Sequence, residues 1–82
     1  MKEIIINIQP FVLQQKAYIR DLEADTVKEE KIPMKDISHY LAIKSKEIEC
    51  DKILLFGNKK ISQKIQQDCQ TKYDIRIPIS VI

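Results

Sequence analysis

The sequence is poor in the residues from which many functional sites are built. It contains one Gly, two Cys, one His and two Arg among 82 residues. A single Gly excludes a multi-glycine phosphate loop. Two Cys and one His are too few for a four-ligand zinc site, and bidentate recognition of bases or phosphates is limited to Arg20 and Arg76. The sequence therefore predicts no metal and no cofactor, and we expect a protein that is not an enzyme.

Long apolar runs and a strong net charge are also missing. Asn7, Gln9 and Pro10 interrupt the apolar start of the chain, so we expect no signal peptide. No run approaches the roughly 18 apolar residues of a membrane span. We therefore expect a cytoplasmic protein with reduced thiols and no membrane partner. The net charge of +2 neither requires nor excludes nucleic acid as a partner.

The residues that are present suffice for one small domain over residues 1–82, with 44% of them apolar. A chain of this size buries only about 60 to 65% of the surface that its unfolded form exposes. A second copy or a partner would therefore help to stabilise its small core. Sixteen Ile and twelve Lys make up about a third of the chain, a bias associated with AT-rich genomes, so we expect a phage or low-GC bacterial source.

Alternation with a period of two predicts three strands near the start of the chain, at residues 3–9, 12–21 and 27–32. The second strand is expected to run antiparallel to the first. The third is short and charged, which suits an edge strand. The apolar faces of the first two strands consist of Ile4, Ile6 and Ile8, and of Leu13, Ala17 and Ile19.

Helical spacing predicts two helices that alternate with two further strands. The first helix covers residues 34–49, with Pro33 in its first turn, and the second begins at the N-cap Asn58 and ends near residue 72. Residues 52–56 form a central strand, and Pro78 makes residues 75–82 an edge strand. The apolar stripes of the helices are Ile37, Tyr40, Leu41 and Ile48, and Ile61, Ile65 and Cys69.

The predicted element order is β-β-β-α-β-α-β, an α/β (α+β) two-layer sandwich with a five-stranded mixed sheet. Right-handed crossovers in the spatial order 3-2-1-4-5 place both helices on one face of that sheet, although other strand orders stay open. The other face is then uncovered, although residues 4–6 and 53–56 place apolar groups on both faces. An exposed apolar face favours association.

This succession of elements resembles the first part of the ribonuclease H-like fold over nearly the whole chain, by element order alone. For an enzyme of that family, the resemblance implies a metal-binding Asp in the first strand, a carboxylate in the first helix and an Asp just after the fourth strand. The matching strand positions read Asn7 and Asn58 here, while Asp36 or Glu47 supplies a helical carboxylate. A lone carboxylate does not hold paired Mg²⁺ ions, so we expect no nuclease activity, and a degenerate metal-dependent nuclease is the least favoured of the functional hypotheses.

Two segments are candidate contacts for an anion or a nucleic acid. The strand-to-helix junction Gly57, Asn58, Lys59 and Lys60 combines backbone N–H groups, a helix dipole and two cations; its alternative interpretation is an N-cap with solvated lysines. The second segment is one side of the second strand, with Lys16, Tyr18 and Arg20, where an aromatic ring between cations would stack a base. The alternative there is a solvated or interface-packed strand face.

The remaining side chains of chemical interest have structural interpretations. We expect His39 at the surface, near Asp36, with no nucleophile beside it. Cys50 and Cys69 are expected to be small core or boundary residues.

The apolar last strand leads to the functional prediction. An edge strand presents unpaired backbone groups, so we expect self-association through Ile75, Ile77, Ile79, Val81 and Ile82, giving a homodimer or a higher symmetric oligomer. The leading hypothesis is a small, non-enzymatic interaction or regulatory module that self-associates through its sheet and binds a partner protein. The alternative is a nucleic-acid-binding accessory protein that uses the two segments described above.

Overall fold

The structure, a computed structural model, describes all 82 residues of the chain. Five strands and two helices follow one another in the predicted order. They are β1 (Lys2–Ile8), β2 (Gln14–Asp21), β3 (Thr26–Pro33), α1 (Ile37–Glu47), β4 (Lys52–Gly57), α2 (Lys59–Thr71) and β5 (Ile79–Val81). A short 3-10 turn, Met34–Asp36, precedes α1. Neither helix has the length and apolar character needed to cross a membrane.

The five strands form one mixed sheet in the order β3-β2-β1-β4-β5. The first three strands pair antiparallel, whereas β4 pairs parallel to both β1 and β5. This is the strand order that places both helices on one face. The edges of the sheet are β3 and β5, as predicted.

The core lies between one face of the sheet and the two helices. Ile4, Ile6 and Ile8 of β1 are buried to within 1% of their surface, as the alternation in the sequence predicts. Both helices add buried residues to this layer, namely Ile37 and Leu41 from α1, and Ser62, Ile65 and Cys69 from α2. Burial of one large apolar side chain stabilises the fold by about 1.5–3 kcal/mol, so this single layer supplies most of the hydrophobic stabilisation.

The ends of α1 differ from the sequence prediction. Pro33 is not in the first turn of the helix but is the last residue of β3, where it lies opposite Gln14. Its ψ of 140° is extended. At the other end, Cys50 N–H donates to Ser45 O at 2.8 Å and Glu49 N–H donates to Lys46 O at 3.3 Å. These two bonds form a Schellman motif, in which Glu49 occupies the left-handed position with a φ of 55°.

The start of α2 agrees with the sequence prediction. The side chain of Asn58 accepts a hydrogen bond from Ile61 N–H at 2.9 Å and caps the helix. Gly57 precedes it with a φ of +90°, and a Cβ atom at this position would overlap the carbonyl oxygen of Ile8. The only glycine of the chain is therefore required at the end of the β1–β4 ladder, where it pairs with Ile8.

Two predicted strands are shorter in the structure. β2 begins at Gln14 rather than at residue 12, and Leu13, expected on the core side, is 88% exposed in the preceding loop. β5 contains Ile79–Val81 only, because Asp74 adopts a φ of 52° and Ile75 N–H donates to Cys69 O, which ties this segment to the end of α2. Ile75 is nevertheless buried, so the apolar alternation predicted the burial correctly but the strand length wrongly.

Candidate functional site

The sheet face opposite the helices is called the open face. Its residues are Glu3, Ile5 and Asn7 of β1, Lys16, Tyr18 and Arg20 of β2, Val27, Glu29 and Lys31 of β3, Lys52, Leu54 and Phe56 of β4, and Ser80 of β5. No helix or loop of the chain forms a second layer over it. In a small two-layer domain, the apolar side chains on such an uncovered face have no second layer to pack against.

An apolar row crosses the middle of the open face. Ile5 lies opposite Tyr18 of β2 on one side and opposite Leu54 of β4 on the other. Phe56 lies two residues further along β4, beside Asn7. These apolar side chains are half-buried by their neighbours rather than fully exposed. They form one continuous apolar strip over the three central strands.

A buried carboxylate lies at one end of this strip. Glu3 has no exposed surface, although it belongs to the open face. Its Oε1 accepts a hydrogen bond from Arg20 Nε at 2.9 Å, and its Oε2 lies 2.9 Å from Lys52 Nζ. The hydrogen bond from Lys52, followed by that from Arg20, lowers the pKa of Glu3 despite its burial. The two partly exposed cations cover the carboxylate and close this end of the strip.

The structure separates the three residues predicted to contact nucleic acid from β2. Tyr18 belongs to the apolar row, and Arg20 forms a hydrogen-bonded ion pair with Glu3. Lys16 lies at the other end of the strand, opposite Lys31 and 4.0 Å from Glu29. The three side chains do share the open face, as the alternation predicted, but an aromatic ring flanked by two free cations is not formed.

The Gly57–Lys60 junction lies at the same end of the sheet as Lys16, because β1 and β4 end where β2 begins. The Asn58 side chain is occupied by capping α2, and its backbone N–H donates to Ile8 O at 3.0 Å. Lys59 and Lys60 are exposed. Two cations and the amino end of a helix therefore face solvent together, without a cavity between them.

The C-terminal edge strand is less accessible to a partner than the sequence indicates. Ile75 and Ile79 are buried in the chain's own core, and Ile77 and Val81 pack against it. The outward carbonyl of Ile79 accepts a hydrogen bond from Gln66 Nε2 at 2.6 Å. Among the residues predicted for self-association, only Ile82 has a mainly exposed side chain. The edge thus offers a short, partly covered strand to a second copy.

A groove between β3 and α1 contains the main cluster of titratable groups. Tyr40 donates its hydroxyl hydrogen to Glu30 Oε1 at 2.6 Å, and Lys44 Nζ lies 3.4 Å from the same oxygen. The hydrogen bond from Tyr40 lowers the pKa of Glu30, while burial and Glu30 raise the pKa of Tyr40. No Ser, Thr or Cys lines the groove, and exposed His39 packs its ring against Tyr73.

The cysteines and carboxylates do not form a metal or redox site. Cys50 and Cys69 are both buried and free, as the sequence predicted. Burial raises the pKa of Cys50, and it raises the pKa of Cys69 to about 11, so neither thiol is activated as a nucleophile. No group of three or more His, Cys, Asp or Glu side chains is placed to hold a metal ion.

No protein-family model matches the chain, and no curated protein sequence is significantly similar to it. Function must therefore be argued from the surfaces of the molecule. Two features were not predicted from the sequence, namely the Glu3 ion cluster and the exposed loop that precedes β2. The sequence does contain an indication of the loop. Gln15 is a polar residue on the same inward face of β2 as Ala17 and Ile19, and a buried polar side chain indicates a hydrogen-bonding role.

Proposed function

We propose that the protein is a small, non-enzymatic interaction module that self-associates through the open face of its sheet and binds a partner protein. The observation that carries the proposal is the apolar row of Tyr18, Ile5 and Leu54, extended by Phe56, on a face that no helix covers. Apolar side chains in one row across three adjacent strands form a flat patch. Flat apolar patches on a small domain are typical of interfaces.

A second copy is the partner that fits this patch best. Two sheets pack face to face at a separation of about 10 Å through interdigitating side chains, and a two-fold axis would place one apolar row against the other. The charged groups of the open face lie around the row, with Glu3, Arg20 and Lys52 at one end and Lys16 at the other. An apolar centre with a charged rim is the usual arrangement in a protein interface.

The open face is favoured over the C-terminal edge as the surface of self-association. Pairing through β5 would use backbone groups of a three-residue strand, and Gln66 already occupies the Ile79 carbonyl. The apolar side chains of this segment stabilise the chain's own core. Ile82 remains free to extend an interface from the edge.

A non-enzymatic role and a reducing, cytosolic compartment are part of the proposal. The two strand positions at which the resemblance to ribonuclease H-like enzymes implies carboxylates hold Asn7 and Asn58, and Asn58 caps a helix. The two cysteines are free thiols with raised pKa values, which fits a protein that does not depend on disulfides.

Sedimentation velocity at high micromolar concentration tests the proposal. We expect a dimer for the wild-type chain and a monomer for Leu54→Lys and for Phe56→Lys, because each variant places a cation inside the interface. The matched control is Ile43→Lys, which replaces a 53% exposed Ile on α1 and is expected to remain dimeric. Circular dichroism establishes that each variant is folded. A wild-type chain that is strictly monomeric at this concentration overturns the proposal without requiring any variant.

A further inference from the structure

The loop between β1 and β2 exposes large apolar side chains at one end of the molecule. Phe11 is 99% exposed and Leu13 is 88% exposed, and Val12 between them is also exposed. One exposed apolar residue is ordinary on a protein surface. Three consecutive ones, in the uncharged segment Gln9–Gln15, form an apolar tip. The apolar tip consists of residues 11–13.

The apolar tip is held in place and is not a loose connection. The buried side chain of Gln15 accepts a hydrogen bond from Gln9 N–H at 2.8 Å and donates to Gln9 O at 2.9 Å and to Val12 O at 2.8 Å. Met34 N–H donates to Leu13 O at 2.9 Å. A fully buried amide side chain thus fixes the loop from below. The entropy cost of ordering the tip therefore falls on folding and not on binding, which favours a higher binding affinity.

Five lysines surround the base of the tip, and this set is called the lysine ring. Lys16 and Lys31 lie opposite each other on β2 and β3, two residues from the pair Gln14 and Pro33 that ends this ladder. Lys35 lines one groove with Leu13 and a second groove with Lys60. Lys59 precedes Lys60 at the start of α2. Three acidic residues lie beside the ring: Glu29 is 4.0 Å from Lys16, Asp36 lines a groove with Lys31, and Asp68 lines the groove of Lys35 and Lys60 together with Lys64.

The lysine ring is unfavourable for the stability of the isolated chain. Like charges directly opposite each other on neighbouring strands repel, as Lys16 and Lys31 do. Cations at the amino end of a helix oppose its dipole, and the first turn of α2 has two lysines and no acidic residue. The exposed ion pair between Lys16 Nζ and Glu29 Oε1, at 4.0 Å, offsets little of this cost. Local features that reduce stability in this way indicate a surface shaped for binding. A surface with this excess of positive charge is complementary to an anionic ligand.

We propose that the apolar tip and the lysine ring together dock the protein onto an anionic lipid bilayer. The tip enters the boundary between headgroups and acyl chains, while the lysines remain at the level of the negatively charged headgroups. This contact lies at the bilayer surface and needs no membrane-spanning segment. The tip itself is separate from the surface of self-association, because it lies at the end of the sheet and the apolar row lies across its middle, whereas Lys16 and Lys31 of the ring lie at the rim of the open face.

The chemistry of the surface favours lipid over nucleic acid. Stacking of bases requires an aromatic platform within a cationic groove, whereas Phe11 stands on a protruding tip beside aliphatic Val12 and Leu13. Arginine, the residue suited to bidentate phosphate contacts, is missing from this end, since Arg20 is bound to Glu3 and Arg76 lies beside Asp74. Lysines act as point charges, which is sufficient for a headgroup layer.

Vesicle flotation tests the proposal. We expect the wild-type chain to float with phosphatidylcholine vesicles that contain phosphatidylserine, and to remain unbound with phosphatidylcholine alone. Phe11→Ser should weaken partitioning about tenfold through lost apolar burial, and Lys59→Gln combined with Lys60→Gln should weaken it by roughly tenfold through lost charge. The matched controls are Ile43→Ser, at a 53% exposed Ile on α1, and Lys46→Gln combined with Lys72→Gln, at exposed lysines elsewhere. Both controls should bind like the wild type.

A fluorescent reporter gives a second readout that does not depend on affinity. The chain contains no Trp, so Phe11→Trp places one indole at the tip and Ile43→Trp places one away from it, at an exposed position of α1. We expect a blue shift with phosphatidylserine vesicles for Phe11→Trp only. No flotation with phosphatidylserine vesicles at low salt overturns the proposal. So does equal flotation of Phe11→Ser, or binding to single-stranded DNA or to an acidic protein but not to vesicles.

Discussion

Lys52 Nζ lies 2.9 Å from Oε2 of Glu3, so a cation from β4 covers a buried carboxylate from β1. Arg20 of β2 binds the other carboxylate oxygen. The three central strands are therefore joined by one ion cluster as well as by their backbone ladders. Because a buried charge is stable only when it is paired, this cluster makes the stability of the sheet depend on pH.

Glu3→Gln should destabilise the protein at neutral pH and have little effect in acid. The folded-state pKa of Glu3 is lowered, first by the hydrogen bond from Lys52 and then by that from Arg20. Its stabilisation is fully present above the unfolded-state pKa of about 4.3 and is lost as the pH falls through the lower folded-state value. Urea denaturation at neutral and acidic pH measures the difference between wild type and variant. A constant difference at all pH values would contradict the prediction, and Glu29→Gln, at an exposed ion pair, is the control.

Gly57→Ala should be more destabilising than the loss of the adjacent helix cap. The added Cβ overlaps Ile8 O and forces a left-handed φ of +90° onto an L-residue, which together cost about 3 kcal/mol. Asn58→Ala removes only the hydrogen bond to Ile61 N–H and should cost about 1 kcal/mol. Urea denaturation of both variants gives the order, and equal losses would show that β1 and β4 separate easily at this point.

Glu49→Gly should stabilise the protein. Glu49 holds the left-handed position of the Schellman motif after α1, with a φ of 55°. Glycine adopts this conformation without a Cβ penalty, so we expect a gain of about 0.5–1 kcal/mol in the free energy of unfolding. Lys46→Gly, three residues earlier within α1, is the matched control and should lose a similar amount. A loss for both variants would indicate that the Glu49 side chain contributes a contact of its own.

Tyr40 should resist ionisation in alkali. Burial, with the hydrogen bond to Glu30, raises its pKa well above the ordinary value. Tyr40→Phe should therefore leave the rise in tyrosinate absorbance unchanged up to about pH 11, provided that circular dichroism shows a folded chain. Because the unfolded state loses this proton first, the stability of the wild type should fall as the pH rises above about 10. A smaller absorbance rise in the variant would mean that Tyr40 is not protected.

Elements with a regular pattern were predicted correctly from the sequence. The alternation of isoleucines placed β1 and its inward face, and the run Ile53–Phe56 marked β4 as a central strand. Asn58 after Gly57 located the start of α2. These features depend on neighbours in sequence, where backbone geometry repeats with a fixed period.

Features that depend on distant residues were not predictable in the same way. The final strand was predicted too long because Ile75 and Ile77 continue the alternation, whereas the chain is held at Ile75 by the end of α2. The Glu3 cluster needs the register of three strands, which no local pattern specifies. The exposure of Leu13 follows from the hydrogen bonds of Gln15, so an apolar residue that fits a strand pattern lies outside the strand.

The uneven distribution of lysines gives the molecule an electric dipole along its strands. The five lysines of the ring and Lys64, with Glu29, Asp36 and Asp68 beside them, give one end a side-chain charge of +3, so the rest of the chain carries −1 within the net charge of +2. A dipole of this kind turns in the field of a negatively charged surface within about 10 Å at physiological salt. The protein therefore approaches such a surface with Phe11 facing it. A larger fraction of the encounters then begins in the orientation that permits binding.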